Sequence, residues 1–143
     1  MSADYFLDIN LLIYSFDENA PVKREKSKQL IASAIRSGCG TLSWQVVQEF
    51  LNVALDKWEK PMSQADAISY LCSTLEPLCT IYPTPSLWHS ALLIQTQTQY
   101  RFYDSLIVAA ALQAGVKILY SEDLQAGRRF GSMEIQNPFE SSE

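Results

Sequence analysis

One stretch decides the fold: YFLDINLLIY, residues 5–14. Residues 5–7 are apolar and two of them are aromatic, which favours a short strand. Asp8 interrupts the apolar run, and the residues after it indicate the opening of a helix. Ligands of open α/β sheets bind outside the carboxyl ends of the strands. Asp8 is therefore the first candidate for a functional residue.

Strands and helices alternate along the rest of the chain. Leu30 and Ile35 belong to a predicted helix that ends at Gly38 and Gly40, and we expect Ser86 to cap a later helix. The further predicted strands cover residues 41–43, 80–82, 117–121 and 133–135, and the further predicted helices cover residues 44–58, 63–75, 86–97 and 105–114. The helices over residues 44–58 and 63–75 are predicted to form a hairpin. This order predicts an α/β fold with a mostly parallel sheet.

The composition bounds the size and class of the protein. A chain of 143 residues with 48% hydrophobic and 19% charged residues is typical of one globular domain, so we assign residues 1–143 to a single domain. The longest apolar run, residues 106–112, is too short to span a bilayer, and we expect a cytoplasmic protein without a membrane partner. The net charge of −5 argues against a nucleic-acid partner unless several acids surround divalent cations, which attract phosphate.

Cysteine and histidine usage excludes several chemistries. Cys39, Cys72 and Cys79 form no C-x-x-C pair, and their odd count favours reduced structural thiols over disulfides or a zinc site. The single histidine, His89, excludes a ribonuclease that needs one imidazole as base and another as acid. It leaves only one candidate base for a serine or cysteine nucleophile.

Four carboxylates are the main candidates for a functional site: Asp8, Glu49, Asp104 and Asp123. Each also has an ordinary structural interpretation. Asp8 and Asp123 are typical of turns after strands, Glu49 is typical of a solvated helix position, and Asp104 is typical of a helix N-cap. As a set they form an oxygen-only group of the kind that Mg²⁺ or Mn²⁺ requires. The sequence contains no phosphate-binding loop, dinucleotide-binding fingerprint, zinc-protease motif or nucleophile elbow.

Four stretches in this order and spacing resemble the PIN domain family, and the resemblance covers essentially the whole chain. They are FLDINLLIY over residues 6–14, QEF over residues 48–50, YDSLIVAAA over residues 103–111 and YSEDL over residues 120–124. Among short single-domain PIN proteins, those that this chain resembles most are the VapC-type toxins of bacterial toxin–antitoxin pairs. The resemblance implies a three-layer α/β/α domain that cleaves RNA with Mg²⁺ or Mn²⁺ and is inhibited by a cognate antitoxin.

The resemblance also assigns roles to individual residues. Asp8, Glu49, Asp104 and Asp123 match the acidic tetrad of the family, and Asn10 and Ser121 match the polar positions that support it. Three other acids lie near these motifs, namely Asp4, Asp17 and Glu122. We prefer Asp8 to Asp4 and Asp17 because Asn10 follows it by two residues. We prefer Asp123 to Glu122 because Asp123 follows Ser121 by two residues. Glu122 remains a rival ligand.

The expected reaction is hydrolysis of an RNA phosphodiester by water, with one or two divalent ions that activate the water and stabilise negative charge. The products should carry 5′-phosphate and 3′-hydroxyl ends, as the resemblance also implies. Arg101, Arg128 and Arg129 flank the third and fourth acidic motifs and are candidate phosphate contacts. The apolar faces of the middle helices and the abundance of aromatic residues suggest either a homodimer surface or an antitoxin groove.

Two alternatives belong to other functional classes. The first is a catalytically idle PIN fold that only binds a partner, although such a protein would have no reason to keep four mutually repelling acids. The second is an aspartate-based phosphotransferase, which usually needs a second acid two residues after the first, where this chain has Asn10.

Overall fold

The computed structural model describes residues 3–140, and a six-stranded sheet forms the centre of this region. The strands are β1 Tyr5–Leu7, β2 Gly40–Ser43, β3 Cys79–Ile81, β4 Ile118–Tyr120, β5 Arg129–Phe130 and β6 Met133–Gln136. Their order across the sheet is β3-β2-β1-β4-β6-β5, and all neighbouring strands are parallel except β5 and β6. The predicted α/β class with a mostly parallel sheet is confirmed.

Helices connect the strands and cover the sheet. They are α1 Ile9–Tyr14, α2 Pro21–Ser37, α3 Trp44–Asn52, α4 Gln64–Tyr70, α5 Glu76–Leu78, α6 Pro85–Thr98 and α7 Phe102–Ala114. Helices α3 and α4 each continue into a π-helical turn, Val53–Lys57 and Leu71–Leu75 respectively. None of the helices within residues 3–140 has the length and apolarity that a membrane crossing requires.

Strand β1 lies between β2 and β4 and receives hydrogen bonds from both sides. Phe6 and Leu7 are both fully buried although successive side chains of a strand point to opposite faces. Both faces of the sheet are therefore covered by other elements, as is usual for parallel sheets. This central placement fixes the carboxyl end of β1, where Asp8 lies, beside the carboxyl end of β4.

Helix α3 is anchored by an aromatic cluster on its buried face. The Phe50 ring lies within 6.0 Å, between centroids, of the rings of Phe16, Trp58 and Tyr70. Because Phe50 is fully buried and follows Glu49 directly, this packing sets the rotation of α3 and directs the Glu49 side chain. The cluster thus links core packing to the position of one candidate site residue.

Two predicted helix starts are wrong and one strand is missing from the prediction, each for a local reason. Helix α6 is capped by Thr84 rather than Ser86, because the Thr84 side chain accepts from the Leu87 N–H and Pro85 suits the first helical position. Helix α7 begins at Phe102, so Arg101 rather than Asp104 is its N-cap. Strand β5 was not expected, since two residues are too short to show an alternating pattern.

Candidate metal-binding active site

Asp8 ends β1 and begins α1, and both of its carboxylate oxygens accept hydrogen bonds. Oδ1 accepts from the backbone N–H of Ile9 at 2.7 Å, and Oδ2 accepts from the Ser121 hydroxyl at 2.8 Å. Ser121 follows β4 and is fully buried, and Asp8 itself is only 6% exposed. The two bonds fix the orientation of the Asp8 carboxylate at the edge of the sheet.

Asp123 is held against α1 by a second contact between residues that are far apart in sequence. The Asn10 side-chain amide donates to Asp123 Oδ2 at 3.3 Å. Asn10 is buried, and its other polar atom, Oδ1, has no hydrogen-bond partner within the described residues. A buried amide oxygen without a partner is an unmet acceptor that a cation or a water molecule would satisfy.

Glu49 projects from α3 and is positioned by a residue one turn earlier. The Gln45 side-chain amide donates to Glu49 Oε1 at 2.8 Å and to the Tyr103 carbonyl oxygen at 3.1 Å. Gln45 therefore couples α3 to the start of α7, where Asp104 lies. Sequence reasoning missed Gln45, although its spacing of four residues from Glu49 is the ordinary signal for such a contact on a helix.

Asp104 is the third residue of α7 and lies in its first turn. The unpaired N–H groups there carry a partial positive charge that favours a carboxylate. Partial burial is the main reason why the pKa of Asp104 lies above its ordinary value; the charge of Arg101 lowers it and that of Asp123 raises it. This electrostatic interaction places Asp104 in the same cluster as Asp123.

The effect of burial and of neighbouring negative charges on a carboxylate is clearest at Asp8. Burial is the largest of the effects that bring the pKa of Asp8 from 3.8 to about 6. The hydrogen bonds from Ser121 and Ile9 oppose this rise, whereas the negative charges of Glu49 and Asp123 add to it. A carboxylate that is buried among other acids is costly when ionised and is stabilised by any nearby positive charge.

Glu122 points away from these groups. Its carboxylate accepts from Lys23 Nζ at 2.6 Å and from the Tyr14 hydroxyl at 2.6 Å. Burial alone would raise the pKa of Glu122, but these two donors lower it below its ordinary value. These two bonds tie the Glu122 carboxylate to α1 and α2, and its role as a rival ligand stays a prediction.

The three arginines have different surroundings. Arg101 is exposed and acts electrostatically on Asp104. Arg128 lies over the rings of Tyr100 and Phe130, and Arg129 pairs with Glu134 at 3.5 Å between the β5 and β6 strands. Their role as phosphate contacts stays a prediction.

The four acids and Asn10 offer a metal ion only oxygen atoms as ligands. Within residues 3–140, no three acidic, histidine or cysteine side chains lie close enough together to hold a metal ion by themselves. The four acids are linked by charge, and they supply only oxygen donors beside the unpaired Asn10 Oδ1. Hard cations such as Mg²⁺ bind through one or two carboxylates and keep several waters, so an open group of this kind fits them.

Comparisons with known proteins concern the fold. A sequence model of the PIN domain family matches residues 5–129. A solved structure titled as a toxin–antitoxin complex from Klebsiella pneumoniae is similar, with a TM-score of 0.68, 14% identity, and coverage of 96% of this chain and 100% of the other.

A second solved structure is the sarcin–ricin loop cleaving toxin VapC20 of Mycobacterium tuberculosis. It is similar with a TM-score of 0.62 and 16% identity over 84% of this chain and 90% of the other. No curated protein sequence matches significantly. At these identities the two structures show a shared fold.

Proposed function

The chain belongs to the PIN domain family, and from this premise we propose that it is a Mg²⁺- or Mn²⁺-dependent endoribonuclease, the toxin of a toxin–antitoxin pair. One observation carries the proposal. Asp8, Glu49, Asp104 and Asp123 come from four distant parts of the chain, yet the charges of Glu49 and Asp123 act on Asp8, and that of Asp123 acts on Asp104. Structural stability does not require such a repulsive group, whereas metal-assisted hydrolysis does.

In this proposal the four acids and Asn10 Oδ1 hold one or two divalent ions. When bound, such an ion lowers the pKa of water and stabilises the charge that develops on a phosphodiester. Ser121 and the Ile9 N–H orient Asp8, Asn10 orients Asp123, and Gln45 orients Glu49. Among the four, Asp104 is the acid whose carboxylate accepts no hydrogen bond from residues 3–140, so we assign it the proton of the attacking water.

The substrate and the biological role follow from the resemblance and from the similar structures. RNA is the substrate that the sequence resemblance implies, and one similar structure is described as a sarcin–ricin loop cleaving toxin. The other is described as a toxin–antitoxin complex, which supports an antitoxin as partner. We also propose a homodimer, for which the exposed Leu92 and Leu93 of α6 provide apolar surface.

A cleft between α2 and α4 is the surface that best fits an inhibitory protein partner. It is lined by Arg24, Lys28 and Arg36 together with Tyr70, and it has a volume of about 530 Å³. Arg24 Nε is buried without a hydrogen-bond partner among residues 3–140, and the Tyr70 hydroxyl is buried beside Ser15. Acidic side chains of a partner would pair with the three basic residues, and apolar side chains would pack against the Tyr70 ring.

Nuclease assays on the purified protein test the enzymatic proposal. We expect cleavage of RNA with Mg²⁺ or Mn²⁺, products with 5′-phosphate and 3′-hydroxyl ends, and no cleavage in EDTA. Asp104→Asn should abolish the activity, whereas Asp17→Asn, outside the site, should leave it unchanged. Robust cleavage in EDTA that persists after further purification would exclude the mechanism.

The same assay separates the two alternatives. A catalytically idle PIN fold would leave RNA intact in every condition. An aspartate-based phosphotransferase would form an acid-labile phosphoaspartate from a phosphate donor and would leave RNA intact. Both outcomes differ from metal-dependent cleavage that is lost in Asp104→Asn.

A further inference from the structure

A cleft beside the candidate site is lined by exposed aromatic side chains. We call it the aromatic cleft and define it by Ser43, Trp44, Gln45, Tyr82, Trp88 and Tyr103. Trp44, Trp88 and Tyr103 are 44%, 51% and 65% exposed, although large aromatic side chains usually contribute to cores. The cleft has a volume of about 190 Å³, which is smaller than pockets for drug-sized ligands and suits one flat group.

Two residues connect the aromatic cleft with the candidate site. Gln45 lines the cleft and donates to both Glu49 and the Tyr103 carbonyl oxygen. Tyr103, on the opposite side of the cleft, is followed directly by Asp104. A group seated in the cleft would therefore contact Gln45, which bonds to Glu49, and Tyr103, which precedes Asp104.

Ser43 provides a second, independent indication of a ligand. It lines the cleft, is only 2% exposed, and its hydroxyl has no hydrogen-bond partner within the described residues. Ser43 is the N-cap of α3, where a serine hydroxyl ordinarily accepts from the helix, but here it makes no capping bond. The hydroxyl is left available for a polar group that enters the cleft.

The lining of the cleft defines the chemistry of its occupant. The residues of the described chain that line it include no lysine, arginine, aspartate or glutamate. A phosphate would find no positive charge there, whereas a flat, neutral ring with polar edges would find aromatic faces, the hydroxyl of Ser43 and the amide of Gln48. Nucleobases have these properties, since they stack on aromatic side chains and hydrogen-bond through their edges.

We propose that the aromatic cleft receives one unpaired base of the RNA, next to the phosphodiester that is cut. This inference rests on the proposed nuclease function and extends it to substrate selection. A base inside a duplex is already stacked and paired, so only a base in a single strand, loop or bulge can enter.

The experiment measures binding of a short unstructured RNA, and of the same sequence in a duplex, to Asp104→Asn protein with Mg²⁺ present. We expect the unstructured RNA to bind more tightly. Adding Trp88→Ala should weaken its binding about tenfold, which is the order expected for one lost base–aromatic stack. Because no charge is removed, this factor should be the same at low and high salt. Trp88→Phe should restore most of the affinity.

Ile68→Ala is the matched control, because Ile68 is an exposed apolar residue of α4 outside the cleft. Its affinity should equal that of the parent protein. Equal affinities of the parent and Trp88→Ala proteins, while wild-type protein cleaves RNA, would overturn this inference alone. A dimer that Trp88→Ala converts to a monomer in sedimentation would also overturn it, because a second copy would then fill the cleft. Wild-type protein that leaves RNA intact with either metal would overturn both the inference and the proposed function.

Discussion

Among the residues of the site, Asp8 is the one whose ionised form destabilises the folded state most. It is buried beside Glu49 and Asp123, and its pKa is raised from 3.8 to about 6, mainly by burial. The folded state therefore binds a proton at Asp8 more readily than the unfolded chain does. Stability falls as the pH rises from about 4 through 6, because the ionised form is favoured by unfolding. The cost corresponds to roughly 3 kcal/mol near neutral pH at ~1.36 kcal/mol per pH unit.

The first prediction follows from this destabilisation. At pH 7 without metal, Asp8→Asn should leave the protein as stable as wild type or more stable, by about 1 kcal/mol. The gain is smaller than the full ionisation cost because the Ile9 N–H and the Ser121 hydroxyl bond more strongly to a carboxylate than to an amide. Thermal or denaturant unfolding at pH 7 and pH 4 measures it, and the difference should shrink at the lower pH.

Two control variants accompany that measurement. Asp4→Asn and Asp17→Asn also remove one negative charge each, but Asp17 accepts only from the nearby Asn19 N–H among the hydrogen bonds of the described chain. Neither control should change stability in this pH-dependent way. A loss of stability in Asp8→Asn that is equal at both pH values would contradict the assignment of strain to the ionised carboxylate.

The second prediction concerns the effect of metal on stability. Mg²⁺ or Mn²⁺ should stabilise wild-type protein by RT ln(1 + [L]/Kd), since the metal binds the folded state. Asp8→Asn and Asp104→Asn should gain much less because each has lost a ligand. Melting curves in EDTA and in excess metal should therefore reverse the ranking of Asp8→Asn and wild type. A full metal response in both variants would place the ion elsewhere.

Among the secondary-structure elements, α1 and α2 hold the turn after β4. Lys23 of α2 and Tyr14 of α1 both contact Glu122, and the adjacent Asp123 accepts from Asn10 of α1. Lys23 also lies over the rings of Tyr14 and Phe139. Glu122 is thus a positioning residue for the turn that carries Asp123.

The third prediction tests this positioning role. Glu122→Gln should weaken the apparent metal affinity of the protein several-fold while changing its stability by less than ~1 kcal/mol, since partly exposed ion pairs contribute little. Metal titration followed by thermal shift measures both quantities. Glu134→Gln, which breaks the ion pair with Arg129 outside the site, is the matched control. An unchanged metal affinity in Glu122→Gln would show that the turn keeps its geometry without the Lys23 contact.

Local sequence patterns predict most of the helices and strands, but they do not predict where these elements begin and end. The apolar run of α7 predicts a buried helix. The predicted start lies three residues too late, because an aspartate before an apolar run resembles an N-cap. The Glu122 contact could not be predicted, since Lys23 lies 99 residues away in sequence and no local spacing records their approach. The proposed site residues came from a resemblance between motifs, because periodicity alone gives each acid an ordinary structural role.

For the whole molecule, the fourth prediction concerns growth. Expression of the chain alone should slow bacterial growth, as expected of an uninhibited ribonuclease, while Asp8→Asn and Asp104→Asn at matched protein levels should not. Growth curves after induction, with protein amounts checked, measure this. Equal growth of wild-type and variant cells would count against the toxin role and would leave the biochemical nuclease proposal to the assay with purified protein.

The site also forms in a fixed order in time, because Ser121 is synthesised 113 residues after Asp8. Asp8 and Ser121 bond across 113 residues, and β1 acquires its β4 neighbour only after α7 exists. A ribosome that adds about 5–20 residues per second needs roughly ten seconds to travel that distance. Until then the nascent chain carries Asp8 without Asp104 or Asp123 and cannot cut the RNA around it. If the protein is the toxin that we propose, the topology of the sheet protects the ribosome that makes it until β4 has been synthesised.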